Sequence, residues 1–111
     1  MIRRSLAIAA LAVSLTTVVG VAARDRAAAQ DRAEQGRRIF MDQGCYGCHI
    51  VGKLGTPIGP DLSRMGARRS EAWLEDWLRD PANQRPAAHM PRLELTEAQV
   101  AALAAFLASL K

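Results

Sequence analysis

Two thiols and an imidazole stand together in the run Cys45-Tyr46-Gly47-Cys48-His49. Cys-x-x-Cys-His is the spacing at which a c-type haem is covalently attached. Thiols three positions apart on one turn of backbone can each add across one of the two haem vinyl groups and form thioethers. The imidazole beside the second thiol is then held under the iron, where a histidine serves as proximal ligand. The chain has only two cysteines and two histidines among its 111 residues, so this one pentapeptide uses both thiols.

Other chemistries for the same residues need features that the sequence does not supply. A thioredoxin-like dithiol needs a βαβ pattern around Cys-x-x-Cys, and no strand-like alternation is visible near it. Structural zinc needs four ligands, usually as two separated pairs. Only His89 remains as a fourth, and the adjacency of Cys48 and His49 makes shared tetrahedral coordination awkward. A Cys45–Cys48 disulfide would close a tiny loop and stabilise little. No nucleophile and base pair, phosphate-cradling glycine loop or further metal cluster is present.

The elements that must position the pentapeptide follow from pattern. Asp31 with Glu34 three residues on makes a capping-box-like start for a helix ending near Gly44. Gly36 inside it costs about 1 kcal/mol relative to alanine and signals close approach of another backbone, with Phe40 one turn later. Ser70 opens a helix bearing Trp73, Leu74, Trp77 and Leu78 on one face, stopped by Asp80-Pro81. Thr96 and Gln99 form a second capping box, stapled by Leu95 and Val100, for a helix from Glu97 to Leu110. Its apolar stripe is Val100, Leu103, Ala104, Leu107 and Leu110, with Phe106 on the flank, and it is read as core. Gly52 to Pro60 reads as a loop, and Pro81 to Pro91 as an irregular segment without periodicity.

Ahead of these, Met1-Ile2-Arg3-Arg4 and an apolar run from Ser5 to Ala23 have the form of a secretory signal. Cleavage after Ala23, or after Ala29, is expected; an uncleaved anchor is the alternative, since the run is just long enough to span a bilayer. The expected organisation is a leader over 1–23, a short solvated linker over 24–30 and one domain over 31–111. Without Arg3 and Arg4, 13 basic side chains face 11 acidic ones. The basic balance is therefore no argument for nucleic-acid binding, since no basic stretch is interleaved with aromatics, and no nucleic-acid partner is expected. A domain this small has a marginal core alone, which a buried haem would complete.

With pentapeptide, helices and proline-bounded loop placed, 31–111 resembles the monohaem class I cytochromes c of exported bacterial proteins. The resemblance implies an all-α cytochrome c fold, three to five helices wrapped around one covalently bound haem, with the N- and C-terminal helices crossing. Gly36, Phe40, Leu103 and Phe106 match the family's crossing residues. Gly59, Pro60, Asp61 and Leu62 match its Gly-Pro-x-Leu, whose proline carbonyl accepts the hydrogen bond of the proximal histidine, here His49. The family's distal ligand is a methionine on a loop after an Asn/Asp-Pro helix end, which implies Met90, followed by Pro91. Met1, Met41 and Met65 lack that framing. His89 also offers an imidazole, but neighbours in an extended loop point in opposite directions. Trp77 falls where the family places an aromatic on the methionine side of the haem, as pocket wall whose indole N–H can donate to a nearby polar group; the alternative is that Trp73 and Trp77 are ordinary core.

The implied site is therefore Cys45, Cys48, His49, Pro60, Leu62, Trp77 and Met90, with His49 and Met90 on the iron of one haem c. The implied function is one-electron transfer between periplasmic or membrane redox proteins, such as a quinol-oxidising complex, a dehydrogenase or a terminal oxidase. Two readings stay open beside it: a dedicated subunit of a periplasmic oxidoreductase, and a haem enzyme or gas sensor with an open distal site. Membrane association is expected only with an uncleaved leader. Lys53 and Lys111 are the only lysines, so any charged docking face must use arginines such as Arg64, Arg68, Arg69, Arg85 and Arg92.

Overall fold

The computed structural model describes residues 2–111, with side chains from residue 18 onward. It divides into two compact units, residues 1–30 and 31–111. The expected leader over 1–23 falls mostly outside the described side chains. Its described end is helical and exposes Val18, Val19 and Val21. Among the described residues no helix is long and apolar enough to cross a membrane.

Helix α1 spans Ile2–Asp42. Residues 24–30, expected as linker, are exposed but helical. The physical reason is local: Ala27, Ala28 and Ala29 are the strongest helix formers, and no glycine or proline interrupts the run. Asp31 is consequently an interior helical residue rather than an N-cap, and it accepts a hydrogen bond from Gln35 Nε2 at 3.2 Å. Glu34 pairs instead with Arg37, at 2.8 Å.

In the second unit the regular elements are helices, apart from one small hairpin. After a 3₁₀ turn at Cys45–Gly47 come β1 (Ile50–Val51) and β2 (Leu54–Gly55), antiparallel with Ile50 opposite Gly55 and Val51 opposite Leu54. This pairing lies within the expected loop. Two-residue strands are too short to show the alternation that reveals a strand in sequence. Helices α2 (Met65–Arg68), α3 (Glu71–Arg79), α4 (Pro81–Gln84) and α5 (Glu97–Ser109) follow.

Caps account for most of these boundaries. Ser70 Oγ accepts from the Trp73 amide at 3.2 Å and opens α3. Asp80 ends α3 and caps α4, whose first residue is Pro81. The start of the segment expected to be irregular is therefore one helical turn. At α5 both arms of the capping box form: Gln99 N donates to Thr96 Oγ1 at 3.2 Å and Thr96 N to Gln99 Oε1 at 2.9 Å.

The core is a single cluster containing Phe40 from α1, Leu62, Leu74 and Leu78 from α3, and Val100, Leu103, Ala104, Phe106 and Leu107 from α5. Helices α3 and α5 pack together, and α2 packs on α5. The α1–α5 approach is set by Gly36, where a Cβ would collide with the Ala102 carbonyl and stand 2.7 Å from Phe106 Cβ. Phe40 meets Phe106 edge-on at 5.4 Å between ring centroids. At the end of α5, the Gly66 amide donates to the Leu110 carbonyl at 2.7 Å and ties α2 to the C-terminus.

Candidate functional site

Helix α1 stops so that the two thiols fall on a turn. Gly44 takes φ +75°, a left-handed conformation that L side chains rarely adopt, and its amide donates to the Met41 carbonyl at 3.1 Å. The chain then winds through the 3₁₀ turn, with Cys48 N and His49 N both donating to the Cys45 carbonyl at 3.2 and 2.9 Å. Cys45 and Cys48 are both free thiols. Cys45 is half-buried against the core and Cys48 exposed. Burial pushes the Cys45 thiol pKa up, with the Cys48 charge adding in the same direction. Tyr46 between them packs edge-on to Phe40 at 4.8 Å, which fixes the turn to α1.

His49 is oriented from the opposite strand of chain. Gly59 N donates to the Cys48 carbonyl at 2.6 Å, Leu62 N to the Ile50 carbonyl at 2.9 Å, and Gly52 N to Ser63 Oγ at 2.7 Å. These bonds lay 59–63 along 48–52 and bring the Pro60 carbonyl oxygen 2.8 Å from His49 Nδ1. A carbonyl can only accept, so Nδ1 carries the hydrogen and Nε2 is left with its lone pair for a metal. Gly59 sits against the imidazole face: a Cβ there would stand 2.6 Å from Cε1 and 2.9 Å from Nδ1. Asp61 turns the chain here by accepting from the Ser63 amide at 2.8 Å, and hydrogen bonding to Ser63 holds its carboxyl below the usual range.

Leu62 is buried in the core beneath this loop. On its rim Leu54 and Ile58 are 63% and 74% exposed. Large aliphatic side chains held in water suit contact with another apolar surface.

The remaining expected residues meet on the other side of the sequence. Met90 packs on the core cluster, whereas its neighbour His89 is exposed. Trp77 Nε1 donates to Met90 Sδ at 3.2 Å. The polar group that the Trp77 indole N–H was expected to find is thus the thioether itself. Trp73 stacks on Trp77 with centroids 5.5 Å apart and planes 13° from parallel. The sequence offers Trp73 as ordinary core, and it does pack on the core; its stacking on Trp77 was not foreseen, although the i, i+4 spacing carried the signal. Sequence reasoning also missed Gly59 as the surface under the imidazole.

The donor set fits one haem of the c type. Two free thiols on one turn suit thioether attachment, an imidazole with its Nδ1 already engaged suits the proximal position, and an inward thioether with a hydrogen-bond donor suits the distal one. Among the described residues no cluster of three or more histidine, cysteine or acidic side chains competes as a metal site.

The chain is 35% identical over 103 residues to a protein named cytochrome c oxidase subunit 2 from Alkalihalophilus pseudofirmus, covering 85% of this chain and 30% of that one. A second protein of the same name, from Bacillus sp. (strain PS3), is 35% identical over 98 residues, covering 71% of this chain and 26% of that one. The chain thus spans less than a third of the length of these relatives. Residues 33–111, which hold every site residue above, match the family described as Cytochrome c, so the chain belongs to the cytochrome c family of haem electron-transfer proteins.

Proposed function

We propose that the protein is a one-electron carrier with a single haem c, attached through Cys45 and Cys48 and ligated axially by His49 and Met90. The observation that carries this reading is the inward Met90, with Trp77 Nε1 3.2 Å from its sulfur, beside an outward His89. With His49 and Met90 both holding the iron, no coordination position would be left for a substrate, which separates a carrier from a haem enzyme or gas sensor. When bound, the haem supplies a metal that exchanges one electron without any bond to a partner, at a potential that Met/His ligation raises.

The chain's own residues hold, orient and shield. The thiols retain the cofactor through repeated transient encounters. The Pro60 carbonyl fixes the His49 tautomer, and Leu62 walls the site with apolar surface. Leu54 and Ile58 offer a small apolar contact of the kind that suffices for weak redox encounters. Export before attachment, directed by the segment over 1–23, places this carrier in the periplasm, or on the outer face of the cytoplasmic membrane when the leader is retained.

The second reading is a dedicated electron-transfer subunit of a terminal oxidase. It is favoured by the two relatives, both named cytochrome c oxidase subunit 2 and both matched along less than a third of their length. Co-purification of a stoichiometric oxidase subunit distinguishes it from a free carrier.

The deciding experiment is optical spectroscopy of the holoprotein, oxidised and reduced, with and without carbon monoxide, for wild type and Met90→Ala. A near-infrared sulfur-to-iron band present in the oxidised wild type and absent from Met90→Ala, with carbon monoxide binding only to the variant, is the expected result. Ready carbon monoxide binding by wild type would overturn the carrier reading in favour of an open-site enzyme or sensor.

A further inference from the structure

An indole on the last turns of a nine-residue helix is free to rotate about two side-chain bonds unless something grips it. Trp77 is half-buried, yet it is not among the side chains that pack on the core, whereas Trp73 and Met90 are. Its ring is held on one side by Trp73, with centroids 5.5 Å apart and planes 13° from parallel. On Trp73, in turn, rests the guanidinium of Arg69, its Cζ 4.3 Å from the ring centroid. Arg69 is itself anchored where α2 joins α3, its amide donating to the Met65 carbonyl at 3.0 Å. Met65 packs on the core. The result is a continuous column: an exposed cation, two stacked indoles, one N–H and the Met90 sulfur.

We propose that Trp73 and Arg69 are positioning residues for the distal ligand, acting through Trp77: the column fixes the indole N–H that points at the Met90 sulfur and so sets how readily that sulfur leaves the iron. This rests on the reading of Met90 as axial ligand. A parallel stack constrains the Trp77 ring plane in a way that aliphatic neighbours do not, and the guanidinium on Trp73 adds a cation–π attraction. The N–H in turn holds the sulfur in one direction, and a ligand held in place competes better with incoming carbon monoxide.

The test uses ferrous holoprotein and reads the rate of carbon monoxide binding, the near-infrared sulfur-to-iron band of the oxidised form, and the near-ultraviolet circular dichroism of the coupled indoles. Trp77→Phe, which keeps a ring but loses the donor, should speed carbon monoxide binding roughly five-fold, as loss of one modest hydrogen bond implies. Trp73→Ala should produce roughly three-fold and Arg69→Gln roughly two-fold, in keeping with the weaker coupling of an exposed cation–π contact. Trp73→Phe, which can still stack, should return close to the wild-type rate. In Trp73→Ala/Trp77→Phe the effects should not add, because the first acts through the second. Each indole variant should also lose the coupled dichroism, which Met90→Ala should retain.

A Trp73→Ala protein with wild-type carbon monoxide kinetics and an unchanged sulfur band would overturn the proposal, as would additive effects in the double variant. Should Trp73→Ala fail to fold, Arg69→Gln and Arg69→Gln/Trp77→Phe compared with Trp77→Phe answer the same question: an unchanged rate in Arg69→Gln, or additive effects in the double variant, would overturn the proposal. A wild-type protein without the sulfur band would overturn the ligand assignment and this inference together. That outcome differs from failure of the column alone, in which the wild-type band is present and the Trp73 variants leave it unmoved.

Discussion

His49 Nδ1 lies 2.8 Å from the Pro60 carbonyl oxygen, and the residue before that proline, Gly59, has no side chain because the imidazole occupies the space. The two facts are one device: the carbonyl sets the tautomer and the glycine sets the tilt. Gly59→Ala would place a methyl 2.6 Å from Cε1, and the ring or the loop must give. The expected cost is about 1–3 kcal/mol of stability. A high-spin component should appear in the oxidised spectrum as the imidazole is displaced, measured against Ala67→Ser on the exposed surface as control.

Exposure separates the two candidate distal donors. His89 faces solvent while Met90 packs on the core. His89→Ala is therefore expected to leave the sulfur-to-iron band and the reduction potential where they are in wild type, to within the small effect of an exposed side chain. A large fall in carbon monoxide resistance in this variant would mean that the histidine binds the iron.

Covalent retention should divide between the two thiols. Either Cys45→Ala or Cys48→Ala leaves one thioether and a haem that resists acid–acetone extraction. The double variant should surrender all of its haem to the organic phase. Because burial raises the Cys45 thiol pKa, its thiolate fraction at neutral pH is low, so attachment in Cys48→Ala is expected to become faster as the pH of the maturation mixture rises.

Gly36 tests the helix crossing independently of the haem chemistry. A Cβ at this position would collide with the Ala102 carbonyl and stand 2.6 Å from its carbon, which are backbone atoms and cannot swing away. Gly36→Val should destabilise the holoprotein by about 3 kcal/mol in denaturant unfolding followed by far-ultraviolet circular dichroism. The sulfur-to-iron band of the folded fraction should be unchanged, since neither His49 nor Met90 lies on α1 or α5.

Arg79 joins α3 to the first turn of α5, its guanidinium 3.0 Å from Glu97, and also reaches Asp76 at 2.9 Å. Hydrogen bonding to Arg79 holds the Glu97 carboxyl below the usual glutamate range. A carboxylate lowered on folding contributes stability that is complete above its unfolded pKa and is lost as the pH falls through the folded one. Wild type should therefore lose a small, salt-screened increment of stability below the ordinary glutamate pKa of about 4.3. In Glu97→Gln, thermal midpoints measured down the same pH range should lack that increment.

Much of the site was legible because its signals are local. The pentapeptide names its own chemistry, and the caps at Ser70 and Thr96 mark helix starts through side chains that reach only three residues. The start at Asp31 was misread for a related reason: a capping pattern competes with whatever precedes it, and the alanine run over 27–29 extends the helix past the cap. The β1–β2 pairing stayed hidden because two residues carry no period.

By itself the sequence determined the cofactor class, the helices at 71–79 and 97–109, and the crossing glycine, since each is written in residue types at spacings of one to four positions. The tertiary structure alone decided which group stands against which: that the Trp77 N–H addresses the Met90 sulfur 13 residues away, that Trp73 and Arg69 stack behind it, and that Gly59 underlies His49. Such relations depend on where a loop lands after the core has packed. No local pattern encodes that, because the free energy that places Met90 comes from burial against α3 and α5 rather than from its own neighbours in the chain.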